Sequence, residues 1–135
     1  MILDTSAVIA IFFEEPDGDH YLQKIRDADR CSISAATFVE LSMVIEGQLG
    51  AEAGRQLDMF LRRAEIAIEV VTVEQAHLAR QAFLDFGKGR HPAQLNFGDC
   101  FAYALAKATG EPLLFKGMDF SKTDIRKAEG SVFDR

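Results

Sequence analysis

Four acidic residues of this chain stand where a fold does not ordinarily place a charge. Asp4 ends the apolar run Met1-Ile2-Leu3, and Asp119 lies in Gly117-Met118-Asp119-Phe120 just after the apolar Leu113-Leu114-Phe115. Asp99 stands in Asn96-Phe97-Gly98-Asp99-Cys100-Phe101. Glu40 has Ala36, Thr37, Met43 and Val44 as its helical neighbours, so it is expected to emerge from a largely apolar, core-facing stripe. Singly, each has a plain structural role: a helix cap for Asp4, a first-turn dipole partner for Asp99, a turn residue for Asp119, a solvated helix acid for Glu40. Together they pose an electrostatic problem. Two carboxylates about 4 Å apart repel by roughly 4 kcal/mol at an effective dielectric of 20, so four in one cleft require compensation. A divalent ion supplies it, and an all-oxygen set with no His or Cys cluster suits Mg²⁺ or Mn²⁺. The chemistry such a site performs is metal-assisted hydrolysis of a phosphoester.

Other chemistries find less support. His20, His77 and His91 are scattered, with no Ser or Cys nucleophile in a recognisable frame, and are expected at the surface. Gly47, Gly50 and Gly54 do not have the spacing of a phosphate-binding loop. Cys31 and Cys100 are too isolated for a zinc site or a disulfide framework, which fits a reducing, cytoplasmic setting. The eleven phenylalanines read as core rather than as base-stacking platforms.

The acids need elements to position them. Residues 1–3 read as a buried strand, residues 7–13 as a helix, and Pro16-Asp17-Gly18 as a break before a helix carrying Tyr21, Leu22 and Ile25. Cys31–Ser34 is a second strand, Ala35–Leu49 a helix ended by Gly50, and residues 51–64 another helix with Leu57, Phe60 and Leu61 on one face. Residues 66–73 are β-branched and read as a third strand; residues 74–86 are helical with Ala79, Phe83 and Phe86 inward. After the basic loop Gly87-Lys88-Gly89-Arg90-His91-Pro92, Asn96 caps a helix reaching about Thr109, Gly110 stops it, and residues 112–115 form a last short strand. Strands separated by helices imply an α/β fold, a parallel sheet with helices on both faces, whose sites form beyond the carboxyl ends of the strands. Asp4 and Asp119 both fall at that edge.

With 135 residues, 48% of them hydrophobic, and no linker or repeat, the chain reads as a single domain over residues 1–135. Its longest apolar run, residues 7–13, is too short to span a bilayer, so no membrane association is expected. The net charge of −6 argues at first against a nucleic-acid partner, but it is unevenly spread. Residues 1–75 carry 14 acids and 6 bases (−8), whereas residues 76–135 carry 7 acids and 9 bases (+2). Two bound divalent cations would also bring −6 to −2, with the added charge placed where a phosphate must sit.

Met1-Ile2-Leu3-Asp4-Thr5-Ser6-Ala7, Thr37-Phe38-Val39-Glu40, Leu95-Asn96-Phe97-Gly98-Asp99-Cys100 and Leu113-Leu114-Phe115-Lys116-Gly117-Met118-Asp119-Phe120 together closely resemble the PIN-domain family, specifically the VapC-type toxins of bacterial toxin-antitoxin pairs. The resemblance runs in order along essentially the whole chain. It implies a three-layer PIN-like fold and a Mg²⁺- or Mn²⁺-dependent endoribonuclease whose metal-site acids map onto Asp4, Glu40, Asp99 and Asp119. Thr5, Ser6, Asn96 and Asp124 would support those ligands. Many relatives carry Asp or Asn where this chain has Met118, which removes any ligand role there. A homodimer and a separately encoded antitoxin, with a segment threaded over the cleft, are further implications.

RNA-backbone contacts are expected from Lys88, Arg90, His91, Lys116 and Lys122, which lie in the net-positive part of the chain. Two alternatives stay open. One is a phosphohydrolase working through an aspartyl-phosphate at Asp4, a class that typically carries a second Asp two residues on, where this chain has Ser6. The other is a non-catalytic PIN-like binding module.

Overall fold

The computed structural model describes residues 1–131, so the last four positions of the expected 1–135 domain lie outside the described residues. Its elements follow the order β1 (Ile2–Leu3), α1 (Thr5–Phe12), α2 (Gly18–Asp27), β2 (Cys31–Ser34), α3 (Ala35–Leu49), α4 (Ala51–Arg63), β3 (Ile66–Glu69), α5 (Val73–Phe86), α6 (Phe97–Thr109) and β4 (Leu113–Leu114), then a 3₁₀ turn at Phe120–Lys122. The strands form one parallel sheet in the order β3-β2-β1-β4. Ile2 stands in register with both Ser32 and Leu113, so β1 is central.

That strand order dictates the layers. The chain steps outward from β1 to β2 to β3, then returns to place β4 on the other flank of β1. Right-handed crossovers running in opposite directions put their helices on opposite faces of the sheet. Accordingly, Leu3, Ile33 and Leu114 pack with residues of α1 to α4, including Val8, Tyr21, Leu41 and Leu57. Ile2, Leu113 and Phe115 turn the other way and pack with α5 and α6, against Ala79, Ala82, Ala102 and Leu105. Adjacent strand residues serve different cores because successive side chains point to opposite faces. The point where the direction of winding reverses, between β1 and β4, is where a crevice opens beyond the strand ends.

Local chemistry shifts several expected boundaries. α1 begins at Thr5 rather than at residue 7, because Asp4 itself is its cap. β3 ends at Glu69 rather than at residue 73: it is an edge strand with only Ile66 buried, Val70 is 71% exposed, and Thr72 caps α5 by accepting the Gln75 N–H at 3.1 Å. The last strand contracts from residues 112–115 to Leu113–Leu114. On α5, Ala79 is buried as expected but Phe83 is not; it faces solvent. α6 matches its expected bounds, held by Asn96 at one end and by Gly110 in the left-handed region (φ 72°) at the other.

The core on the α1–α4 face depends on Leu57, fully buried on α4. Leu57→Ala is expected to cost roughly 2–5 kcal/mol by loss of contacts and the cavity left behind. Urea unfolding followed by circular dichroism measures this; a loss well below 1 kcal/mol would mean that α4 packs independently of the core.

Candidate active site

Asp4 is built into the end of the central strand. Its backbone N–H donates to the Leu114 carbonyl at 3.0 Å, which extends the β1–β4 pairing one residue past the end of β1. Its side chain then turns to cap α1. Oδ2 accepts the Ser6 N–H at 3.0 Å and the Ser6 hydroxyl at 2.6 Å, and the same hydroxyl oxygen accepts the Lys116 N–H at 2.9 Å. One serine therefore ties the carboxylate to the segment that follows β4. Asp4 is buried. Desolvation pushes its pKa up, the Ser6 bonds pull against that, and the negative charge of Glu40 adds to the rise.

Glu40 reaches the same place from α3. Its Oε1 accepts the Thr5 hydroxyl at 2.9 Å, so the residue after Asp4 holds the second acid. Contrary to the expected core-facing stripe, the buried line of α3 is Thr37, Leu41 and Ile45, while Met43 is 70% exposed. Glu40 lies beside that line, half-buried at the rim of a cleft, where a carboxylate can remain solvated on one side. Gly98 makes room for it: a Cβ at that position would overlap the Glu40 carboxylate. The small residue beside Asp99 is therefore needed for the approach of α3's acid to α6.

Asp99 completes a reciprocal cap at the start of α6. It accepts the Asn96 N–H at 3.0 Å, and Asn96 Oδ1 accepts the Asp99 N–H at 2.9 Å. The capping role and the site role coexist. Burial, then the charge of Asp4, and further the charges of Asp119 and Glu40 raise the Asp99 pKa to about 7 against the opposing pull of the Asn96 N–H. Asp119 is solvent-exposed and leads into the 3₁₀ turn, close enough for Asp99 to feel its charge. Thus Asp4, Glu40, Asp99 and Asp119 gather at one edge of the sheet, with Thr5, Ser6 and Asn96 each bonded to one of them.

The remaining expected residues have other engagements. Asp124 is taken by the Tyr103 hydroxyl at 2.5 Å and by Lys107 at 2.7 Å, one and two turns further along α6 from Asp99. The Lys116 ammonium is claimed by Glu15 at 2.6 Å and Asp17 at 2.9 Å, which raise its pKa and leave it little charge to offer an outside phosphate. Lys88 and Lys122 are exposed. Arg90 stacks on the Phe83 ring, and His91 packs on Phe86 with its Nδ1 accepting the Ala93 N–H. Met118 is 39% exposed and brings no charge to the cleft.

Among the described residues, none of the four acids forms an ion pair with Lys, Arg or His. Nor do three or more Asp, Glu, His or Cys side chains there make a ready ligand group for one ion as they stand. The acids are electrostatic neighbours rather than a closed cage. Their donor chemistry nevertheless fits a hard divalent cation: carboxylate oxygens, no side-chain counter-charge, and a glycine that keeps space for Glu40. The part of Gly98 was legible only as smallness next to Asp99. The claim of Glu15 and Asp17 on Lys116 was not legible at all, since about 100 residues separate the partners.

A parallel sheet with helices on both faces and a carboxylate cluster at its winding reversal is the architecture of PIN domains. The PIN domain family model matches residues 1–126. Ribonuclease VapC of Mycolicibacterium smegmatis is 47% identical over 125 residues, covering 93% of this chain and 97% of that protein. Ribonuclease VapC30 of Mycobacterium tuberculosis is 47% identical over 126 residues, covering 93% and 95%. The chain belongs to the PIN-domain family, in its VapC branch. Solved structures show the same fold at low identity. The crystal structure of Mycobacterium tuberculosis VapC20, a sarcin-ricin loop cleaving toxin, superposes with a TM-score of 0.76 at 16% identity, covering 94% of this chain and 97% of that one. A toxin-antitoxin complex from Klebsiella pneumoniae gives 0.71 at 16%, covering 91% and 92%.

Two outcomes follow from this geometry. Because Asp99 titrates near 7 when folded and near 3.8 when unfolded, the folded protein holds an extra proton between those values. Its stabilising contribution is complete below pH 4 and is lost as pH rises through 7. Asp99→Asn keeps a cap acceptor without the charge, so in EDTA it should melt a few degrees above the parent at pH 8 and match it near pH 4. Differential scanning calorimetry at both pH values decides; equal Tm at pH 8 would show that the charge carries no penalty. Gly98→Ala should keep the helix and its thermal stability, since helix propensity favours Ala by about 1 kcal/mol, yet displace the Glu40 carboxylate. Magnesium titration calorimetry reads this as weaker affinity.

Proposed function

We propose that this chain is a Mg²⁺- or Mn²⁺-dependent endoribonuclease, the toxin of a toxin-antitoxin pair. The observation that carries this reading is the meeting of four acids, uncompensated by any side-chain cation among the described residues, at the winding reversal of a PIN-domain sheet. The naming of 47%-identical relatives as VapC ribonucleases supports the substrate class. Relatives of the same fold solved as toxin-antitoxin assemblies support an antitoxin partner. A homodimer and a cytoplasmic setting belong to the same proposal; no helix among the described residues is long and apolar enough to cross a membrane.

Asp4, Glu40, Asp99 and Asp119 would hold the cation, which when bound supplies Lewis acidity at a phosphodiester and a more acidic water. The chain's own part is orientation. The Ser6 N–H and hydroxyl fix the Asp4 carboxylate, the Thr5 hydroxyl fixes Glu40, and the Asn96 N–H fixes Asp99, so three acids are aimed before substrate arrives. Water attacks phosphorus in line with the departing 3′ oxygen. The P–O3′ bond breaks, the 3′ oxygen takes a proton, and the products are a 5′-phosphate and a 3′-hydroxyl. Ser6 occupies the position where an aspartyl-phosphate enzyme would want its second acid, and it engages Asp4 Oδ2, so that alternative loses support.

The test is RNA cleavage by the antitoxin-free chain. Asp4→Asn and Asp99→Asn should each reduce the Mg²⁺-supported rate by about two orders of magnitude or more while circular dichroism stays native. EDTA should abolish cleavage, and added Mg²⁺ or Mn²⁺ should restore it. Undiminished cleavage by either folded variant would refute the site.

A further inference from the structure

Phe97, expected in the core, is 80% exposed, well beyond the 38% of Phe83, and stands at the first position of α6, directly before Gly98 and Asp99. Solvent does not favour a large apolar ring at a helix start, where capping alone would accept almost any polar residue. The ring is nevertheless held in place. It meets Phe101 edge-on with centroids 4.9 Å apart, and both line a groove of about 390 Å³ between α5 and α6 together with Phe83 and Arg80. Arg90 lies over Phe83 from the neighbouring loop, 5.5 Å from the ring centroid. No acid lines this groove, and neither Arg80 nor Arg90 has an ion-pair partner among the described residues.

Exposed rings interleaved with unneutralised guanidinium groups match a partner that is anionic and offers flat π faces, the chemistry of unpaired nucleotides. The charge is the informative part. In a chain of net charge −6, free cations beside apolar rings single out a polyanion over an apolar peptide. Location agrees: the Phe97 and Gly98 Cα atoms are neighbours along the chain, about 3.8 Å apart, so a base next to a phosphate held at the acids comes within reach of the ring.

We infer that the α5–α6 groove is a base-stacking subsite for single-stranded RNA, with Phe97 as the platform and Arg80 and Arg90 contacting the flanking phosphates and bases. This rests on the ribonuclease reading above and adds to it a requirement: the nucleotide beside the scissile phosphate must be unpaired, because a base inside a duplex has no free face to stack.

Steady-state cleavage of a fluorescent single-stranded RNA reporter in Mg²⁺, by the full chain, tests it. Phe97→Leu keeps an apolar side chain and removes the π face, and it should raise KM about tenfold or more with kcat little changed. Phe97→Tyr should behave as the parent. Arg80→Ala and Arg90→Ala should raise KM and flatten its salt dependence. Phe97→Leu with parental KM overturns the subsite, and does so independently of the active site if Asp99→Asn is inactive in the same assay. Sedimentation velocity showing that Phe97→Leu only dissociates a complex of chains, at unchanged KM, also overturns it and makes the groove a protein contact. A parent chain that cleaves no RNA removes the ribonuclease reading and the subsite with it.

Discussion

Mutual repulsion among carboxylates organises this molecule around one edge of its sheet. Asp4, Glu40, Asp99 and Asp119 arrive from four separate stretches of chain, and no lysine or arginine among the described residues pairs with them. A fold seeking stability alone would interleave cations or let these acids diverge into solvent. Here, burial and neighbouring negative charge hold Asp99 near neutrality and push Asp4 upward. The structure around them resists the divergence: Ser6 and Asn96 hold Asp4 and Asp99 through hydrogen bonds from nearby in the chain, and Thr5 of α1 reaches across to hold Glu40 of α3. Carboxylates perturbed in this way cluster at functional sites.

The fold meets that demand through its winding. Because β4 returns to flank β1, the central strand ends in a crevice rather than under a helix. Asp4 sits at that point, and the reach from β4 to Asp119 is only a few residues. The two helices that contribute acids close in from either side, α3 with Glu40 and α6 with Asp99, and Gly98 permits their contact. Lys116, whose backbone N–H bonds Ser6, has its ammonium drawn aside by Glu15 and Asp17, so it does not neutralise these acids. The net effect is a cluster of acids left without a side-chain counter-charge among the described residues, while Arg80 lines the α5–α6 groove and Arg90 lies over its Phe83 ring.

Much of this was legible in the residues. The strand–helix alternation, the bounds of Cys31–Ser34, Ala35–Leu49 and α6, and the placement of Asp4 beyond the first strand follow from local rules of capping, periodicity and chain breaking. The acids could be named because a charge in an apolar or cap position is conspicuous in one dimension. Errors arose where exposure depends on the neighbour rather than the residue. Met43 and Phe83 look like core residues by type and spacing, but α3 and α5 turn those faces outward. Residues 70–73 look like strand, but at a sheet edge nothing covers them and Thr72 ends the element by capping the next.

By itself, then, the sequence determined the class of fold and the family and singled out four acids as candidates, since these depend on residue type and short-range spacing. Only the tertiary structure decided which charges meet. Asp124, expected to support the ligands, bonds Tyr103 and Lys107; Lys116, expected at an RNA backbone, is bound by Glu15 and Asp17. Electrostatic energy varies with distance in space and with the dielectric around each charge, and neither is written along the chain until the sheet order brings its distant segments together.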